Sequence, residues 1–170
     1  MVESLAFTRS ADRRTLYAEI APQIDALVAG ETDIIANLAN IAAVLKEAFG
    51  FFWVGFYIAK EGQLVLGPFQ GPLACTRIAF DQGVCGHAYT TRETVIVPDV
   101  DAFPGHIACS SNAKSEIVVP IFNGSEVFGV LDVDSERLAD FSQTDADGLK
   151  AVTKIIERVI QGHTIPEHSG

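Results

Sequence analysis

Asn123-Gly124 separates two apolar runs, Ser115 to Ile121 and about Ser125 to Asp134, and marks them as the arms of a β-hairpin. Side chains alternate along each arm, so the length of the loop decides which residues share a face. A two-residue loop pairs Phe122 with Ser125, sets Glu116 opposite Leu131, and scatters Asp132 and Asp134 among Ile117, Val119 and Ile121. A three-residue loop, Phe122 to Gly124 with Gly124 left-handed, moves the register by one and separates the faces. Ile117, Val119 and Ile121 then meet Val127, Leu131 and Val133, while Glu116, Asp132 and Asp134 line the other side with Val118, Phe128 and Val130. This second register is predicted, because it keeps carboxylates out of the core.

Three carboxylates on a half-apolar face repel one another and lose hydration, so the face favours a shared proton or a cationic ligand. Three cysteines, Cys75, Cys85 and Cys109, are the thiols of the chain. Cys85 lies at a predicted helix start and Cys109 ends the segment Phe103-Pro-Gly-His-Ile-Ala-Cys109. A helix N-terminus or a nearby imidazolium lowers a thiol pKa, so either is a candidate nucleophile. Cys75, opening a predicted strand, suits a resolving role. Taken singly, each is equally a small buried hydrophobe. A zinc set could draw on Cys75, Cys85-Gly-His87 and His106-Ile-Ala-Cys109, but no Cys-x2-Cys pair is present and no metal is expected.

Twelve basic against twenty-two acidic residues give a formal charge of -10, which disfavours nucleic acid and anionic membranes as partners. Met1 to Phe7 has neither the basic nor the apolar part of a signal peptide. The apolar run Phe51 to Ala59 falls far short of the roughly 20 residues that cross a bilayer. A cytoplasmic protein is therefore expected. At 170 residues and 48% apolar, the chain is predicted to fold as one domain over residues 1–170.

Helical composition from Ser10 to Gly30 is interrupted by Pro22, predicting two short helices or one bent one. A second helix is predicted from Asp33 to Phe49, capped by Thr32 and stopped by Gly50. Phe51 to Ala59 reads as a central strand with Phe52, Val54, Phe56 and Ile58 on the helical side. Trp53, Gly55 and Tyr57 on its other side form a pocket wall, with the glycine leaving a gap for a ligand. Strands follow at Gln63 to Phe69 and Cys75 to Phe80, joined by an irregular Gly67 to Pro72 connection, and then a short helix near Val84. Strand Thr94 to Val97 leads into an irregular segment, residues 98–114. After the hairpin, Ser142 and Asp145 cap a last helix, and a tail begins near His163. Consecutive strands with helices at both ends define an α+β fold with a central, mainly antiparallel sheet.

Together these residues resemble the free methionine-(R)-sulfoxide reductases, a family of GAF-domain enzymes. The resemblance runs through Trp53-Val-Gly-Phe-Tyr57, Gly67-Pro-Phe-Gln-Gly71, Ala74-Cys75, Gly83-Val-Cys-Gly86, Phe103 to Cys109, Ser115 to Pro120 and Leu131-Asp-Val-Asp134. It implies a GAF fold and reduction of free methionine-(R)-sulfoxide to methionine, with peptide-bound substrate excluded. It further implies no resident cofactor, thioredoxin or another dithiol as external reductant, and room for a homodimer. By position, Cys109 matches the nucleophile, Cys75 its disulfide partner and Cys85 an auxiliary thiol. Glu116, Asp132 and Asp134 match the acidic substrate-binding positions, and Trp53, with Tyr57 beside it, matches the aromatic wall over the methyl group. Ser110 and Asp101 depart from the family pattern within the loop that carries Cys109.

Overall fold

Every residue from Trp53 to Ile58 is buried, because the strand they build, β1 (Trp53–Lys60), lies inside the sheet with a layer on each face. The structure is a computed structural model that describes residues 4–9, 11–109 and 112–162. Ser10 as a helix start, Ser110 and the tail from His163 lie outside the described residues. β1 pairs antiparallel with β2 (Gln63–Gln70) and β6 (Glu126–Ser135). The sheet is completed by β3 (Arg77–Ala79), β5 (Ser115–Asn123) and β4 (Val95–Val97) in the order β3-β2-β1-β6-β5-β4. All its pairs are antiparallel, as an α+β GAF fold requires.

One face carries α1 (Arg13–Ala29), α2 (Ile34–Phe49) and α4 (Gln143–Gly162), which bury Ile24, Leu38, Ile41, Leu149 and Ile156 against Val54, Phe56, Ile117 and Leu131. α3 (Gly83–Thr91) covers the opposite face, where Trp53, Tyr57, Val84, Cys85, Val118 and Val130 form a second, smaller cluster. Phe52, expected on the helical side, precedes β1 and packs with this second cluster.

Pro22 lies inside a single helix instead of dividing it. The lost backbone bond costs up to about 3 kcal/mol, and burial of Leu16, Tyr17, Ile20, Ile24 and Val28 offsets it. α2 is capped by Asp33, whose carboxylate accepts from the Ala36 N–H at 3.0 Å, not by Thr32. Its end at Gly50 is left-handed, with φ 66°. The predicted reciprocal cap of α4 is present: the Ser142 N–H donates to Asp145 at 3.0 Å and the Thr144 N–H to Ser142 at 3.3 Å. β2 runs through Gly67 and Pro68, as the strand expected from Gln63 to Phe69 implies and the irregular Gly67 to Pro72 connection does not, because a register shift opposite Phe56 absorbs the proline. The strand expected from Cys75 to Phe80 is only Arg77–Ala79.

The hairpin separates its faces as predicted, by a different device. Asn123 pairs with Glu126, so the tight turn is Gly124-Ser125, with Gly124 left-handed at φ 62°. That turn alone would give the unfavourable register. Between Ile121 and Phe122 the pairing jumps from Gly129 to Val127, leaving Phe128 as an extra residue in β6. The bulge restores Ile117↔Val133 and Val119↔Leu131 on the helical side. It also turns Phe128 toward the helices, a correction to its predicted place beside the acids. Glu157 of α4 supports the irregularity by accepting the Phe122 N–H at 3.1 Å.

Candidate active site

Across β5, β6 and β1 the register sets Glu116, Asp134 and Trp53 in one transverse row, and Val118, Asp132 and Gly55 in the next. These rows face α3 and the segment that carries Cys109. Gly55 does not leave a gap for a ligand: a Cβ there would lie 2.3 Å from that of Phe69 and 2.8 Å from the Trp53 indole. The missing side chain instead lets Trp53 lie flat, stacked on Phe69 at 5.3 Å and on Tyr57 at 6.0 Å.

The two rings also hold the loop after β2. Trp53 Nε1 donates to the Pro72 carbonyl at 3.1 Å and the Tyr57 hydroxyl donates to the Cys75 carbonyl at 2.8 Å. Cys75 is disulfide-bonded to Cys109, with 5.2 Å between the Cα atoms. Cys85 is a buried free thiol in the first turn of α3. A small cavity of about 40 Å³ is bordered by Trp53, Tyr57, Cys85, Cys109, Glu116, Asp132 and Asp134 together. The structure thus brings all the predicted site residues to one place, Cys75 through its bond to Cys109. Asp101 lies apart, exposed on the 3-10 turn Val100–Ala102.

The GAF domain model matches residues 28–161. The free methionine-R-sulfoxide reductase of Escherichia coli is 41% identical over 150 residues, covering 88% of this chain and 91% of its own. GAF domain-containing protein A of Dictyostelium discoideum is 51% identical over 158 residues, covering 92% of this chain and 99% of its own. An X-ray structure of free methionine-R-sulfoxide reductase from Neisseria meningitidis in complex with its substrate is 55% identical, with a TM-score of 0.92 over 96% of this chain and 100% of that one. The chain belongs to the GAF-domain free methionine-R-sulfoxide reductases.

The electrostatics of this reductase site follow from burial. Glu116 and Asp134 are held well above the usual carboxylate range, first by loss of hydration and then by the charge of Asp132. Asp132 is raised by burial as well, moderated by hydrogen bonds from Glu116 and Cys85 and by the charge of His106. Glu116 is the hydrogen-bond partner of both aspartates, and each of those bonds raises it further. Asp132 Oδ1 is buried without a hydrogen-bond partner. Cys85 departs from expectation: burial, reinforced by Asp132 and Glu116, pushes its thiol up, outweighing any helix N-terminus effect.

Ligand atoms of Cys85, Glu116 and Asp132 lie within 4.8 Å of one another, a trio able to hold a compact cation. The zinc set considered from sequence is not assembled, since Cys75 and Cys109 bond to each other and His87 is exposed with its ring edge against Phe103. Sequence reasoning missed Phe69 and the Pro72 and Cys75 carbonyls. Phe69 sat inside the Gly-Pro-Phe-Gln-Gly motif, which was the available signal.

Proposed function

We propose that this reductase converts free L-methionine-(R)-S-oxide to L-methionine using Cys109 as the nucleophile and Cys75 as its resolving thiol. The observation that carries the reading is the placement of Cys109 on a cavity walled by three uncompensated acids and an indole, with its sulfur already bonded to Cys75. The α-ammonium of a free amino acid supplies the cation that Glu116, Asp132 and Asp134 lack, and a residue inside a peptide has none to offer. The Cys109 thiolate attacks the sulfoxide sulfur while Glu116, held protonated by burial, delivers a proton to the oxygen. The face of Trp53 favours the positive charge that develops on sulfur. Methionine departs and Cys109 is left as a sulfenic acid. Cys75 then condenses with it, releasing water and forming the disulfide. Cys85, buried with a raised pKa, is an auxiliary thiol and a poor first nucleophile. Thioredoxin or another dithiol restores the enzyme, in the cytoplasm and with no resident cofactor.

Single-turnover assays test the assignment. Reduced Cys109→Ser is expected to release no methionine, and reduced Cys75→Ser one methionine per site. Equal loss in both variants contradicts the roles, and failure of the wild-type protein to consume the R epimer with a dithiol removes the reading altogether.

A further inference from the structure

Three regular elements converge on the cavity, and each brings one atom able to ligate a metal. Glu116 of β5 and Asp132 of β6 sit on adjacent strands in neighbouring rows of one face, since Glu116 pairs with Asp134 and Asp132 with Val118. Cys85 comes from the first turn of α3, the helix that covers that face. Gly86 sets how closely the turn seats: a Cβ there would lie 2.8 Å from the Phe80 carbonyl and 2.9 Å from that of Ala79. The Cys85 sulfur and one oxygen from each acid all lie within 4.8 Å of one another, and all three residues are buried.

A buried acid cluster is not in itself a binding site. What marks this one is Asp132 Oδ1, a buried oxygen without a hydrogen-bond partner, in a side chain that borders the cavity. The free Cys85 thiol beside it decides which cation fits. Sulfur ligands favour zinc and similarly soft ions, whereas magnesium and calcium take oxygen. A tetrahedral zinc ion, with sulfur at about 2.3 Å and oxygen at about 2.0–2.2 Å, sets its ligand atoms about 3.3–3.6 Å apart. Glu116, the longest of the three side chains, can make up the difference by rotation. The cavity of about 40 Å³ admits such an ion with a water as fourth ligand, and not the hydration shell that magnesium retains.

We propose that Cys85, Glu116 and Asp132 form a site for a thiophilic divalent cation, Zn²⁺, which takes the place of the substrate ammonium and switches the reductase off. The displacement of substrate rests on the proposed function; the binding of the ion does not. Cys85 binds as the thiolate and both acids as carboxylates, so the thiol and carboxyl protons they carry leave to solvent. No ligand comes from Cys75 or Cys109, and the site is therefore complete with their disulfide formed. The ion blocks the site and takes no part in the chemistry.

The intact oxidised protein tests the site, because its disulfide leaves Cys85 as the free thiol. Equilibrium dialysis against Zn²⁺ is expected to load one ion per chain, and Co²⁺ to give a thiolate-to-metal charge-transfer band that added Zn²⁺ removes. Cys85→Ser is expected to lose the band and to bind Zn²⁺ about 100-fold more weakly. Absence of zinc uptake, or of the band in the wild-type protein, overturns the site whether or not the variant folds, and so does equal uptake by a folded Cys85→Ser. In single turnovers of prereduced protein freed of reductant, Zn²⁺ is expected to slow methionine release about tenfold relative to Mg²⁺ at low sulfoxide and to lose its effect as sulfoxide is raised. Inhibition that is undiminished in Cys85→Ser arises at Cys75 and Cys109 and overturns the switch. If no sulfoxide is consumed with either ion, it is the proposed function that fails, while dialysis and the cobalt band still decide the metal site.

Discussion

Two groups of acids lie on opposite faces of the sheet, and they differ in their cationic partners. Between α1 and α4, Arg13 reaches Asp140 at 3.0 Å and Asp145 at 3.1 Å, and Tyr17 donates to Asp145 at 2.8 Å. Burial works to raise the Asp140 carboxyl, but the Ser135 hydrogen bond and the Arg13 charge prevail and hold it below the usual range. In the cavity, Glu116, Asp132 and Asp134 are buried without a Lys or Arg ion pair among the described residues, and all three are pushed the other way. Burial therefore does not separate the two groups. The cation does: Arg13 supplies it to one, the other has no Lys or Arg among the described residues, and the proposed substrate ammonium would fill that place.

The comparison breaks most visibly if Asp132→Asn behaves like a lesion in the α1–α4 group. Expected instead is a fall of about 100- to 1000-fold in kcat/KM for the free sulfoxide. Urea unfolding at about pH 8 should show no loss of stability, because the variant removes an uncompensated charge. The converse substitution, Arg13→Met, takes from the buried Asp145 its only arginine among the described residues, while Asp140 keeps Arg137 at 3.1 Å. It is expected to cost about 3 kcal/mol in urea unfolding while leaving kcat/KM of the folded protein unchanged. A change in KM would mean that the two groups are not independent.

The smallest effect is the most specific. Glu116 and Asp134, raised in the folded state, contribute stability that is complete below their ordinary pKa and is lost as pH rises through their folded values. Asp140, held low, contributes stability above the ordinary carboxylate pKa that is lost as pH falls through its folded value. Ligand-free protein should therefore lose stability on the order of 1–2 kcal/mol on its alkaline side, and Asp134→Asn should flatten that limb alone. Flattening of the acid limb by Asp134→Asn would refute the division. Urea titrations across pH distinguish the two.

The separation of acids from core was legible in the sequence because alternation along a strand is local, and only one of the two registers kept Asp132 and Asp134 away from Ile117 and Val119. The turn itself was misplaced. The bulge at Phe128 depends on Glu157, 35 residues from the backbone it supports, and such a partner leaves no local trace. Helix caps were legible to within one residue, as Thr32 and Asp33 show, since both side chains suit the position. The role of Gly55 was not, because a gap in a strand reads the same whether a ligand or the indole of Trp53 fills it. The Cys75–Cys109 pairing came from family resemblance alone. Its physical basis, Tyr57 holding the Cys75 carbonyl, is tertiary.

The extra residue at Phe128 also governs how this family can change. Surface hairpin tips ordinarily absorb insertions and deletions with little consequence. Here the tip counts: with Phe128 paired instead of bulged, the same Asn123–Glu126 turn would carry Asp132 and Asp134 into the apolar layer and bring Leu131 and Val133 out, inverting a site several residue pairs away. A change of two residues preserves the alternation. Tips in active relatives should therefore vary in length by even numbers, with odd steps tolerated only where the bulge is gained or lost at the same time.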